Sequence, residues 1–275
     1  MRNERCWANC LDGCSSTISG EHRVSVAAWP TREYGTTRKE KVAKEVRVRG
    51  RPAPDSERLP YDRVHPLRQL VVNNLCTTHN AALSDLDTEV GRFTEAIDEF
   101  DETIKERNNS LLRYAPRTWK VDGPLLERWF LKTAISNSDG RALPIGDRST
   151  TPDRPSDDLV EMAFGLRAIP APLGVWGMVA VGDDFSPSVE FEMRFFDSAV
   201  QGVPTHVAGC AFLFRRALRF MVNLDSQSPF KPGLKLRNAP GAPREVTMMR
   251  PLPTVHHASA ELYLRFEGWP SQPTS

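Results

Sequence analysis

The chain has 275 residues, of which 26% are charged and 40% are apolar, and its formal net charge is +1. This balance is typical of a globular protein and excludes a chain that is disordered throughout. No apolar run reaches about twenty residues, so we expect no membrane span and no membrane partner. The first residues lack the apolar stretch of a secretory signal, and we therefore expect a cytoplasmic protein.

The first thirty residues are rich in turn-forming residues and carry three of the five cysteines. Cys6, Cys10 and Cys14 are spaced four residues apart, and the dipeptide Glu21-His22 follows them. Clustered cysteines in a chain that is not secreted indicate metal ligands rather than a disulfide framework.

Residues 31–68 form a basic segment in which lysines and arginines exceed aspartates and glutamates by five. Within it, charged residues alternate with valines from Lys44 to Arg49, which predicts a short exposed strand. The segment is either a solvated loop or a surface for a phosphate backbone.

A second ligand-bearing stretch follows a short strand predicted at Leu70–Val72. It reads Cys76-Thr-Thr-His79-Asn80. From Asn80 to about Glu106, apolar residues recur at steps of three and four, which predicts a long helix whose acidic outer face is solvated. At the start of this helix Asn80 has the position of an N-cap.

The remainder of the chain predicts one more helix and then strands. The helix spans about Gly123 to Ser136, with charged side chains such as Glu127 and Lys132 exposed. Polar, proline-containing residues 138–157 predict a linker. The strands expected beyond it, separated by turn residues, are Val175–Val181, Val189–Phe196, Thr205–Phe214, Leu218–Leu224 and Ala258–Phe266.

The two cysteine-bearing stretches together predict a zinc site. Two of Cys6, Cys10 and Cys14 with Cys76 and His79 would make a closed tetrahedral set of sulfur and nitrogen ligands. Cys210 lies in an apolar strand and is interpreted as core packing.

Glu21-His22 followed by the Cys76–Asn80 stretch resembles the HNH, or His-Me finger, nuclease family. The resemblance covers roughly the first eighty to ninety residues. It implies a β-hairpin and a following helix that grip a catalytic cation, with a zinc knuckle bracing the hairpin. This chain departs from the usual pattern in the spacing of its first cysteines and in the long interval from His22 to Asn80. A third departure is that the middle asparagine of the family name has no fixed counterpart, although Asn73 or Asn74 could serve.

The resemblance also implies a division of roles. His22 would act as general base on a water that attacks the phosphate. Asn80 would offer its amide oxygen to Mg²⁺ or Mn²⁺, and Glu21 would bind or orient the same ion. The zinc would be structural, because four protein ligands leave no open position.

The fold class predicted from these patterns is α+β. An N-terminal ββα-metal module with a zinc knuckle would occupy residues 1–110, a helical connector and linker residues 111–157, and a β-rich region residues 158–275. The leading hypothesis is a metal-dependent endonuclease that hydrolyses phosphodiester bonds of double-stranded DNA, in a defence or mobile-element setting. The basic segment would contact the DNA backbone. A homodimer is a further expectation, since cutting both strands often needs two copies.

Two alternatives remain open at this level. In the first, the N-terminal module has lost catalysis and is a zinc-binding module for nucleic acid or a protein partner, with His22 an ordinary surface histidine. In the second, the β-rich region is the functional part and acts as a ligand or modified-base sensor that directs the nuclease.

Overall fold

The structure is a computed structural model. It describes residues 3–22, 31–33, 39–41, 45–48, 63–66, 71–108, 117–180, 192–214, 218–228, 235–237, 245–249, 255–257 and 260–267, and the side chains of residues 3–20, 71–96, 120–177, 193–212 and 220–228. In chain order the elements are β1 (Ile18–His22), β2 (Thr31–Glu33), β3 (Lys39–Lys41), β4 (Glu45–Val48), β5 (Arg63–Pro66), β6 (Val71–Cys76), α1 (Thr77–Ala82), α2 (Ser84–Asn108), β7 (Arg117–Asp122), α3 (Gly123–Ser138), α4 (Asp157–Phe164), β8 (Gly174–Ala180), β9 (Glu192–Val200), β10 (Val203–Phe214), β11 (Leu218–Asn223), β12 (Lys235–Arg237), β13 (Glu245–Met249), β14 (Val255–His257) and β15 (Ala260–Glu267).

Helices and antiparallel sheets together make this an α+β protein, as the sequence predicted. The largest sheet has six antiparallel strands in the order β12-β13-β8-β11-β10-β9. A second sheet has the order β14-β15-β7, in which β15 pairs parallel with β7 and antiparallel with β14. No helix within the described ranges is both long enough and apolar enough to cross a membrane.

The strands β1 and β6 form an antiparallel pair that positions the predicted site. Ile18 lies opposite Cys76 and His22 opposite Val71, with an irregularity in register between Ser19 and Glu21. In the long interval between these strands, called the insertion below, the described residues form two short ribbons, β2–β3 and β4–β5. The strand expected at 44–49 is β4.

The predicted long helix begins earlier than expected and is divided in two. The N-cap is Cys76, whose Sγ accepts a hydrogen bond from the backbone N–H of His79 at 3.5 Å. Asn80 therefore lies inside α1, and its interpretation as an N-cap is wrong. The chain turns at Leu83, which is fully buried, and α2 continues from Ser84.

The helix α3 lies at the centre of the hydrophobic core. Asp122 caps it by accepting from the Leu125 N–H at 3.0 Å, and Pro124 occupies its first turn, where a missing N–H costs little. The prediction that its charges are exposed is wrong for Glu127 and Lys132. Glu127 accepts from the Val175 N–H of β8 at 2.9 Å, and Lys132 donates to an aspartate of α2.

The segment predicted as a linker is packed against the six-stranded sheet. Its Gly146 N–H donates to Val207 of β10 at 3.0 Å, and Val207 donates in turn to Pro144 at 2.8 Å. It leads into α4, an element that the sequence analysis did not predict. Buried residues from the cysteine-bearing stretch 6–14, from α2, α3 and α4, and from the six-stranded sheet belong to one hydrophobic cluster. The division into residues 1–110, 111–157 and 158–275 stays a prediction.

Candidate metal centre

The first cysteines lie in a knuckle, residues 6–14, made of successive tight turns. The Cys6 N–H donates to Asn3 at 2.9 Å, and Asn9 donates to Cys6 at 3.1 Å. Gly13 has a φ of +89°, a left-handed conformation that glycine adopts without strain. The knuckle is joined to β6 because the Trp7 N–H donates to the Asn74 carbonyl at 2.9 Å. These bonds bring two cysteines of the knuckle towards the end of β6.

The second pair of ligand residues is placed by the start of α1. Cys76 ends β6 as the helix N-cap, and His79 follows one turn later on the same side. A residue three positions after another on a helix lies near it, so the spacing of this pair directs both side chains to one point. That point is where the knuckle packs.

Four side chains meet there: Cys6, Cys14, Cys76 and His79, called the metal cluster below. Their possible ligand atoms all lie within 4.8 Å of one another. The three Sγ atoms lie 3.3, 3.6 and 3.4 Å from a single atom, the Nδ1 of His79. Among the described residues no other group of three or more histidine, cysteine or acidic side chains meets this criterion.

This arrangement fits a metal ion better than it fits hydrogen bonds. A ring nitrogen of a neutral histidine is either one donor or one acceptor, so three sulfur partners at one nitrogen exceed what hydrogen bonding can satisfy. Zn–S bonds of about 2.3 Å and Zn–N bonds of about 2.0–2.1 Å at a tetrahedral angle separate sulfur from nitrogen by about 3.6 Å. The observed distances of 3.3–3.6 Å agree with that value. The metal cluster can therefore hold a metal ion such as zinc.

The metal cluster is buried, and its environment perturbs the thiols and the imidazole. Cys6 and Cys76 are 0% exposed, Cys14 and His79 5%. Burial raises the pKa of Cys6 to about 12. Burial also acts to raise the pKa of Cys76, but hydrogen bonds from the His79 backbone, from Ser15 and from Cys6 together lower it to about 7.

Burial lowers the pKa of His79 and so favours the neutral imidazole, the form that binds metals. A hydrogen bond with the backbone of Asp12 acts in the opposite direction. In metal sites a ligating histidine commonly donates its other ring N–H to such a group, which fixes the orientation of the ring. Asp12 therefore has the position of an outer partner of the metal cluster.

Cys10 is the predicted ligand that the structure places outside the metal cluster. It is half-buried, and burial together with the nearby carboxylate of Asp157 raises its pKa to about 11. Cys210, interpreted as core packing, is buried in β10, and burial raises its pKa well above the ordinary value.

The predicted catalytic residues are placed only in part. Glu21 and His22 lie in β1 opposite Val72 and Val71, and their side chains lie outside the described residues. Asn80 is half-buried, and its Nδ2 donates to the Ser19 Oγ of β1 at 3.0 Å.

The two candidates for the family's middle asparagine differ in burial. Asn73 is exposed, whereas Asn74 is buried and donates from Nδ2 to the Ser136 carbonyl of α3 at 3.0 Å. Asn74 therefore has a packing role that ties β6 to the central helix, and Asn73 remains accessible.

Residues of α4 and of the loop before it also surround the metal cluster, and the sequence gives no sign of them. Arg154 donates to the Cys6 carbonyl, and Phe164 contacts the rings of Trp7 and His79. No local pattern marks them, because both contacts join residues far apart in the chain.

Comparison of the chain with protein-family models, with curated proteins and with solved structures finds no match in any of the three.

Proposed function

We propose that the N-terminal part of the chain is a zinc-braced nuclease module of the HNH type that hydrolyses phosphodiester bonds of DNA. The observation that carries the proposal is the position of the metal cluster. The metal cluster joins the knuckle before β1 to the junction of β6 and α1. One set of ligands would therefore brace β1, β6 and α1, which follow one another in the order strand, strand and helix.

The ion in the metal cluster would be zinc with a structural role. Three sulfurs and one imidazole suit a borderline-soft cation such as zinc, whereas Mg²⁺ and Ca²⁺ select oxygen ligands. Four protein ligands complete a tetrahedron and leave no position for water or substrate. Catalysis would therefore occur elsewhere on the module.

The catalytic residues would lie at the face between β1 and α1. Asn80 belongs to α1 and contacts Ser19, three residues before His22 on β1. Because its Nδ2 donates to Ser19, its Oδ1 is the atom left for a hard cation. His22 would take a proton from the attacking water, and Glu21 would orient that ion. A bound Mg²⁺ or Mn²⁺ would supply charge neutralisation at the phosphate.

The substrate would be contacted by the insertion between β1 and β6. The paired strands there include Arg32, Lys39, Lys41, Arg47 and Arg63, within a segment whose net charge is positive. Contacts with phosphates give affinity that does not depend on sequence and that falls as salt rises. Double-stranded DNA is the proposed partner, and two copies of the chain would cut its two strands.

A second candidate function is a zinc-binding module without catalysis. The hydrogen bond from Asn80 to Ser19 favours it, because that bond gives Asn80 a sufficient role in holding α1 on β1. This candidate predicts that zinc and DNA bind and that no phosphodiester bond is cut.

A plasmid-nicking assay tests the proposal. Wild type, His22→Ala, Asn80→Ala and Thr78→Ala would be assayed with and without added Mg²⁺ or Mn²⁺, and zinc content would be measured on the same samples. Thr78 is exposed on the same helix as Asn80 and serves as its matched control. We expect nicking by wild type and Thr78→Ala only when the cation is added, and none by the other two variants at full zinc content. If wild type contains its full complement of zinc and does not nick DNA, the result contradicts the nuclease proposal and supports the non-catalytic zinc-binding module.

A further inference from the structure

We propose that Arg154 is a positioning residue of the metal centre, and that residues 154–164 act as an outer clamp on the knuckle. The inference rests on the proposed zinc site and deepens it. It assigns part of the affinity for the metal to residues that lie far from the ligands in the chain.

The first contact of the clamp reaches a ligand residue directly. The Arg154 Nη1 donates to the Cys6 carbonyl at 2.8 Å, across 148 positions of sequence. The same carbonyl accepts from the Asn9 N–H, so it is a fixed point of the first turn of the knuckle. Holding this carbonyl holds the Cα of Cys6 and therefore the direction in which its Sγ points.

The second contact is made by Phe164 at the end of α4. Its ring meets the His79 ring edge-on with centroids 5.4 Å apart, and the Trp7 ring at 5.8 Å. One aromatic side chain therefore packs against a ligand of α1 and against the residue that follows Cys6. Such pairs favour particular ring orientations, so Phe164 restricts the rotation of the imidazole.

The third contact lies at the start of α4. The Cys10 thiol lies near the carboxylate of Asp157. The middle of the knuckle therefore lies beside the first turn of α4, at the cysteine that is not a member of the metal cluster. The knuckle thus meets this loop and helix at three points.

The clamp can position ligands because its own backbone is fixed. The Ile145 N–H donates to the Arg154 carbonyl at 2.9 Å, and the Ser149 hydroxyl donates to the same carbonyl at 2.7 Å. Next to Arg154, Asp153 has a φ of +57° and donates to Leu143 at 2.9 Å. This loop is bound in turn to β10, so the six-stranded sheet sets the position of Arg154.

Partners outside the ligand shell typically contribute 10–100-fold to metal affinity. We therefore expect Arg154→Met to weaken zinc binding by roughly 10–100-fold, since methionine keeps most of the side-chain volume and loses the donor. Arg154→Lys keeps one charged donor and should recover part of the loss. Arg92→Met is the matched control, because Arg92 is exposed on α2, outside the clamp, and pairs with Glu89 of the same helix.

The experiment is a zinc competition titration of the full-length chain against a chromophoric chelator. Melting temperatures of zinc-loaded and zinc-depleted samples separate positioning from general packing. Loss of the Arg154 side chain should lower the melting temperature of the loaded protein more than that of the depleted protein. Equal zinc affinity in wild type and Arg154→Met, or equal losses of melting temperature in the two states, would overturn the inference.

Two further measurements keep the result interpretable. If Arg154→Met does not fold, Arg154→Lys and Phe164→Leu are titrated instead, and wild-type affinity in both would contradict the clamp. Co²⁺ is added to wild type as a spectroscopic probe for thiolate ligands in a tetrahedral site. A wild type that gives no such spectrum refutes the metal centre itself, which is a different failure from that of the clamp.

Discussion

The Sγ of Cys6 lies 3.3 Å from the Nδ1 of His79, although 73 positions separate the two residues in the chain. The chain between these two residues, including the insertion between β1 and β6, is therefore a long loop that starts and ends at the same place. A metal ion at this point closes the long loop, and closing loops is a general way in which metal sites stabilise folded chains.

Replacing a member of the metal cluster should have a very different effect from replacing Cys10. Cys14→Ser should abolish stoichiometric zinc and destabilise the protein by more than about 4 kcal/mol, as loss of a structural metal does. Cys10→Ser should keep one zinc per chain, because Cys10 lies outside the metal cluster. Zinc content by mass spectrometry and urea unfolding measure both effects. Zinc loss from Cys10→Ser as complete as that from Cys14→Ser would contradict the placement of Cys10 outside the metal cluster.

Zinc affinity should depend more steeply on pH below neutrality than above it. In the metal-free protein the pKa of Cys76 is about 7, so above that pH its thiolate is already formed and zinc displaces no proton from it. Below it, zinc displaces one more proton, and affinity falls about tenfold further per pH unit. Because the pKa of His79 is lowered, protons compete less with zinc for its ring nitrogen.

Calorimetric titration in two buffers of different ionisation enthalpy counts these protons. About one more proton should be released per zinc near pH 6 than near pH 8. The same proton count at both values would contradict the assignment of Cys76 as a ligand with a lowered pKa.

Leu126 and Leu166 offer a matched test of the core around α3. Leu126 is 1% exposed and Leu166 is 69% exposed. Leu126→Ala should destabilise by about 2–5 kcal/mol, because the cavity it leaves adds to the lost apolar burial. Leu166→Ala should change stability by less than about 0.5 kcal/mol. Denaturant unfolding of the two variants measures the difference, and equal losses would place α3 outside the core.

The buried carboxylate of Glu127 should stabilise the fold through the hydrogen bond that it accepts, and not through its negative charge. It accepts from the Val175 N–H at 2.9 Å and so joins α3 to β8. Glu127→Leu leaves that N–H without its acceptor, at a cost of about 1–3 kcal/mol, whereas Glu127→Gln keeps an oxygen there. We expect Glu127→Gln to be clearly the more stable variant in urea unfolding. If the two variants are equally destabilised, the charge or the volume of the side chain matters more than the hydrogen bond.

The elements that could be predicted from sequence are those whose own residues carry a period. Strands β8, β10 and β11 were predicted to within a few residues, because alternation and flanking turn residues are local signals. The position of helix α3 agrees with the sequence prediction, but the prediction that Glu127 is exposed is wrong. Whether a charged side chain is buried depends on a partner in another element, which the helix's own sequence does not contain.

The candidate site shows the same division between local and distant information. The spacing of Cys76 and His79 on one turn predicted their meeting, and the clustering of cysteines predicted the knuckle. The choice of Cys6 and Cys14 over Cys10 depends on how the knuckle folds against β6 and α4. Arg154 could not be found at all, because nothing near it in the sequence points to Cys6.

The parallel pairing of β15 with β7 has a consequence for synthesis of the chain. β7 leads directly into α3 through Asp122, yet its partner strand, Ala260–Glu267, is made much later. At roughly 5–20 residues per second, a ribosome needs on the order of ten seconds to add the intervening residues. During that time one edge of β7 lacks its final neighbour. A nascent chain is then at risk of pairing with the wrong strand, and chaperone dependence should be greatest in this interval.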